Sequence, residues 1–94
     1  MIKSIIKGTG MSVPPNLVTN KDLEKIMDTS DEWIQQRTGI RQRYWISEDN
    51  PMGASDLGFE AAKQALDAAG WAAEEVDFII FATLSPDIMF PGCG

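Results

Sequence analysis

Histidine is absent from this sequence, and cysteine occurs once, as Cys93 near the end of the 94 residues. Without an imidazole the chain lacks the commonest metal ligand, so metal chemistry is not expected of it. A single cysteine closes no internal disulfide, which points to a reducing compartment. Positive charge is also scarce, with 8 Lys and Arg against 14 Asp and Glu and a formal charge of −6, and this argues against a nucleic-acid groove. Long apolar runs are missing too. The longest, Phe78 to Leu84, is far short of a membrane span, and Met1-Ile2-Lys3 leads into a strand-like segment rather than a signal sequence. The expectation is a cytoplasmic protein with no membrane and no nucleic-acid partner. What is present is the apolar and charged balance of an ordinary globular protein, with one domain as the ceiling for this length. Arg37, Arg41 and Arg43 form a local basic patch in an otherwise acidic chain.

Ile2 to Lys7 is β-branched with polar interruptions and closes on Gly8-Thr9-Gly10, which predicts a first strand. Pro14-Pro15-Asn16 marks a loop, and Thr19-Asn20 caps a short amphipathic helix that carries Leu23, Ile26 and Met27 on one face and ends near Asp28. Thr29 with Glu32 makes a capping-box pattern for a second helix, from Thr29 or Ser30 to Thr38, stopped by Gly39. Ile40 to Ile46 alternates as a strand does, and Ser47 to Met52 is a polar loop. A long helix follows from Ala54 or Ser55 to Ala69, with Leu57, Ala61, Ala65 and Ala68 as a narrow apolar stripe and Gly70 as its terminator. Val76 to Leu84 is nearly continuous in apolar character, the mark of a strand buried on both faces. The order predicts an α/β layered fold with at least part of its sheet parallel. Three helices cannot cover such a sheet on both sides, so the chain reads as a fragment or as one chain of a larger assembly.

Gly8-Thr9-Gly10 fails as a dinucleotide fingerprint, since prolines follow where a helix should open; two glycines making a tight exit from a strand is the plainer account. Thr29, Trp33 and Arg37, at i, i+4 and i+8, share one side of the second helix. An indole and a guanidinium one turn apart suit a flat heteroaromatic base, and Arg41 and Arg43 beyond them suit phosphates. The competing account is a core tryptophan covered by an arginine stem. Asp22, Glu24, Asp28, Asp31 and Glu32 are explained by helix capping and a solvated helix face with less effort than by a metal site. Cys93, between two glycines, has no neighbour to lower its pKa and reads as a bystander. Phe90-Pro91 reads as an apolar loop that lines a pocket or crosses to a partner subunit.

The block Asp28-Thr29-Ser30-Asp31-Glu32-Trp33-Ile34, followed by Arg37-Thr38-Gly39-Ile40-Arg41-Gln42-Arg43, resembles the signature near the start of the ketoacyl-acyl-carrier-protein synthase III family. The resemblance continues through Gly58-Phe59-Glu60-Ala61-Ala62 and Ala82-Thr83 to Phe90-Pro91. It implies the N-terminal part of a thiolase-like layered domain (α-β-α-β-α) spanning residues 1–94, incomplete without downstream sequence. It also implies a homodimer that condenses acyl-coenzyme A with malonyl-acyl carrier protein, an acyltransferase that starts fatty-acid synthesis. Coenzyme A thioester is then a substrate, and no cofactor is bound covalently. By the same resemblance Trp33 and Arg37 match the pair that stacks on the adenine of coenzyme A, Thr29 matches a neighbouring contact, and Phe90 matches an aromatic residue that enters the partner's acyl pocket. The family's catalytic cysteine, histidine and asparagine lie downstream, so no catalytic residue is assigned here. The alternatives are a relative making an alkylquinolone, a polyketide starter or a long-chain ketone, and a non-catalytic dimerisation or binding fragment.

Overall fold

The computed structural model describes residues 2–88. They fall into two compact units, one formed by Val13–Pro51 and the other by the described parts of Met1–Ser12 and Met52–Gly94.

In the first unit strand β1, Asn16–Thr19, pairs antiparallel with β2, Gln42–Trp45, with Val18 opposite Arg43 and Thr19 opposite Gln42. The sequence reading assigned Pro14 to Asn16 to a loop, and a four-residue strand after two prolines is too short for alternation to reveal. Between the strands lie two helices, α1 (Asn20–Glu24) and α2 (Asp31–Thr38). Thr19 caps α1: its hydroxyl accepts from the Asp22 N–H at 3.2 Å, and the Asp22 carboxylate accepts from the Thr19 N–H at 2.9 Å. This helix is shorter than expected. At its end Lys25 and Ile26 donate to the carbonyls of Asp22 and Leu23, three residues back, so the last turn tightens and Ile26 and Met27 are left exposed. The cap of α2 is Ser30 rather than Thr29. Ser30 is extended, and its hydroxyl accepts from the Trp33 N–H at 3.1 Å. Gly39 ends α2 at φ 74°, as its position in the sequence predicts. Val18 and Ile34 are buried apolar side chains of this unit.

The second unit is built on α3, Ala54–Ala69, which begins and ends where its pattern predicts, with Gly70 at φ 71° as its C-cap. The Asp87 carboxylate accepts from the Ser55 N–H and pairs with the Ser55 hydroxyl, capping α3 from outside the helix. The stripe is Leu57, Ala61, Ala65 and Ala69, all half-buried; Ala68 is exposed, because the i, i+4 row runs to 69. Gly8 and Gly10 lie against this stripe. A Cβ on Gly8 would collide with the Ala65 carbonyl and one on Gly10 with the Ala61 carbonyl, so these glycines serve close approach to a helix, not a positive φ. Phe81 lies over Gly58 in the same way.

The predicted strands Ile2–Lys7 and Val76–Leu84 are not strands among the described residues, and the only ladder there is the antiparallel β1–β2 pair. Most of their side chains are exposed, Ile80 at 83%, with Val76 and Thr83 half-buried. Apolar patterning states what a segment should be buried against, but a strand exists only through hydrogen bonds to a neighbour, and no described residue supplies one.

Candidate functional site

The N-terminal end of α2 and the turn before it enclose a shallow depression of about 310 Å³, lined by Asp28, Thr29, Ser30 and Trp33. Trp33 is 54% exposed, so within this unit it is not a core side chain; Ile34, its neighbour, is the side chain that α2 buries. The Arg37 guanidinium lies over the indole, 5.6 Å from the ring centroid. Thr29 sits half-buried in the turn ahead of the helix. The structure therefore brings together Thr29, Trp33 and Arg37, although Thr29 precedes the helix proper. A flat ring between indole and guanidinium needs two contact layers of about 3.5 Å each, so Arg37 must swing outward by roughly 1–2 Å to admit one. An exposed arginine makes such a move on the nanosecond scale.

Arg43 is not available to phosphates. Its Nη2 donates to Asn20 Oδ1 at 2.8 Å and its Nη1 points to the Val18 carbonyl at 3.4 Å, so the β2 ladder holds it inward. Arg41 is exposed and, like Lys21, attracts the Asp31 carboxylate. The expectation for Arg43 fails because a strand alternates faces, and position 43 points to the side where Val18 and Asn20 are buried.

Asn20, 1% exposed, is the most buried polar side chain described, and the sequence reading gave it no role beyond the helix start. Its Nδ2 donates to Asp31 Oδ1 at 2.8 Å and to the Ile40 carbonyl at 2.9 Å, while its Oδ1 accepts from Arg43. Asp31 Oδ1 also accepts from Gln35 Nε2 at 2.7 Å, and the Asp31 N–H donates to Glu24 Oε2 at 2.7 Å. Hydrogen bonds from Asn20 and then Gln35 hold the Asp31 carboxyl below its ordinary value of 3.8. Glu24 thus serves the start of α2 as capping predicts, whereas the Asp31 carboxylate is held by the side chains of Asn20 and Gln35. Phe90 and Cys93 lie outside the described residues.

An exposed indole beside an arginine, on a helix with a capped start and a glycine stop, can be set against proteins of known function. The chain is 54% identical over 90 residues to beta-ketoacyl-[acyl-carrier-protein] synthase III of Caulobacter vibrioides, an alignment covering 96% of this chain and 27% of that protein. The match is to synthase III. The crystal structure of 3-oxoacyl-[acyl-carrier-protein] synthase III from Aquifex aeolicus superposes with a TM-score of 0.80 at 49% identity, covering 94% of this chain and 28% of that one. The priming beta-ketosynthase of a polyketide biosynthetic pathway is more distant, with a TM-score of 0.66 at 31% identity over 86% of this chain and 25% of the other. The fold is thus the thiolase-like layered α/β arrangement of the synthase III structures, of which these residues carry a part. No family model matches the chain. The chain spans about 27% of the length of the Caulobacter relative.

Proposed function

We propose that this chain is the N-terminal part of a 3-oxoacyl-acyl-carrier-protein synthase III. In this reading the face made by Thr29, Trp33 and Arg37 receives the nucleotide of a coenzyme A thioester. The observation that carries it is the exposed Trp33 indole beside the depression, with the Arg37 guanidinium over its ring. The depression suits the base rather than the phosphates, because Asp28 lines it and repels anions. The phosphates then point away from Asp28, toward the exposed Arg37 and Arg41.

The complete enzyme transfers an acyl group from coenzyme A to a cysteine, and a decarboxylating malonyl-acyl carrier protein attacks the resulting thioester to give a ketoacyl-carrier protein and carbon dioxide. Splitting the reaction this way lets a thiolate take the acyl group and lets hydrogen-bond donors stabilise the charge on the thioester oxygen. The nucleophile and its partners, with the neighbours that complete the sheet, belong to the remaining length of the enzyme. This segment contributes the nucleotide face. In a homodimer Phe90 reaches the partner's acyl pocket. The priming ketosynthase of polyketide synthesis shares the fold, but the higher identity to synthase III favours the fatty-acid reading.

The test is coenzyme A binding by the intact enzyme. Stacking of a base on an aromatic side chain contributes about 1–3 kcal/mol, so Trp33→Ala is expected to weaken binding roughly fivefold to a hundredfold by calorimetric titration. Arg37→Ala should act in the same direction. Both variants should retain the thermal midpoint within about 2 °C, since neither residue is buried. Unchanged binding with lowered stability would return Trp33 to a structural role.

A further inference from the structure

We infer that Asn20 is a positioning residue for the nucleotide face, acting through Asp31 on the orientation of α2. This rests on the reading that the Trp33 face takes the nucleotide of a coenzyme A thioester. Asn20 stands at the junction of β1 and α1, and its backbone N–H donates to the Arg41 carbonyl at 3.2 Å, so its own place is fixed by the ladder. Its Nδ2 then holds both ends of α2. One hydrogen bond reaches Asp31, the first residue of the helix, and the other reaches the carbonyl of Ile40, just past the terminating glycine.

Both N–H groups of the amide donate and its Oδ1 accepts from Arg43, and no buried side-chain nitrogen or oxygen among the described residues lacks a partner. A network satisfied in this way has one arrangement, and its members cannot rotate without leaving a buried group unpaired. Trp33 lies two residues beyond Asp31, in the first turn of the helix that this amide clamps. Asn20 touches neither the depression nor the indole face, so any effect on ligand passes through the helix. Displacements of about 1 Å at a binding group cost as much as a hundredfold in rate, which makes such a clamp functionally consequential.

The experiment uses the intact synthase and two thioesters of one acyl group, acyl-coenzyme A and the truncated acyl-pantetheine, which has no nucleotide. Asn20→Asp places a carboxylate against Asp31 and removes both donors. It is expected to raise KM for acyl-coenzyme A about tenfold, with kcat within twofold and the truncated substrate unaffected. Asn20→Asp combined with Asp31→Asn reverses donor and acceptor across the pair and should restore KM to within about threefold of the parent, the Ile40 carbonyl remaining unpaired. Asp31→Ala cuts the link to α2 while leaving Asn20 bonded to Ile40 and Arg43, and it should reproduce the selective loss if Asn20→Asp does not fold.

Equal losses with both thioesters, no loss with either, or failure of both single variants to fold would each make the network structural and overturn the inference. Trp33→Ala separates this from the underlying reading. If Trp33→Ala shows no loss specific to acyl-coenzyme A, the nucleotide face itself is wrong. If it shows that loss while Asn20→Asp and Asp31→Ala do not, only the role of Asn20 is lost.

Discussion

At the scale of the residue, Trp33 and Asn20 are inversions of expectation: a large apolar side chain is left in water and a polar amide is buried. An exposed tryptophan is common enough on a surface, but this one lines a depression and carries an arginine over its ring. Asp31 gives the site a pH signature. Its folded pKa is depressed by Asn20 and Gln35, so its contribution to stability is fully present above the unfolded value of 3.8 and disappears as pH falls through the lower folded value. Asp31→Asn should therefore flatten the acid limb of a plot of thermal midpoint against pH below about 4, while leaving the neutral region nearly flat. An acid limb identical to that of the parent would remove Asp31 from the account. The Trp33 and Arg37 pairing was legible because i and i+4 are neighbours on any helix. The Asn20 network was not, since its partners stand 11, 20 and 23 residues away and nothing local marks an asparagine that will be buried.

Elements divide by the range of the information that specifies them. The ends of α2 and α3 were readable because a cap and a positive-φ glycine are encoded within a few residues. The cap moved by one position, from Thr29 to Ser30, since both hydroxyls offer the same chemistry and only backbone geometry chooses between them. The helix α1 was over-extended because apolar spacing does not show that the turn after Glu24 tightens. Strands fared worst, as their partners are remote. Two glycines separate conformation from packing. Gly39→Ala meets open space but must hold φ 74°, and is expected to cost about 1–2 kcal/mol in the intact enzyme. Gly10→Ala has an ordinary φ but drives a methyl into the backbone of α3, and about 3 kcal/mol is expected. Chemical denaturation of the two variants measures the order, and the reverse ranking would mean that α3 and residues 8–10 separate readily.

For the whole molecule, the apolar surface left in water decides behaviour in isolation. Ile2, Ile5, Ile6, Phe78, Ile79 and Ile80 are exposed, and a groove lined by Phe59, Leu66, Val76 and Ile79 lies open on the second unit. The 94-residue chain on its own should bind the dye ANS strongly and form polydisperse assemblies in size-exclusion chromatography, whereas the intact enzyme should bind little dye and elute as a single defined species. A monodisperse, dye-silent chain would contradict the exposure. Among the described residues no helix is long and apolar enough to cross a membrane. The Val13–Pro51 unit differs from the rest in being built from one uninterrupted run of sequence. That contiguity orders events in time. Because loop closure over 11 to 23 residues is inexpensive, the clamp around α2 can form as soon as Pro51 has emerged from the ribosome, while residues 78–84 are still enclosed in it. Pulse-labelling during refolding should find the amides of Asn20, Ile34 and Gly39 protected earlier than those of residues 78–84, which places the ligand-facing helix among the first parts of the nascent protein to acquire a lasting shape.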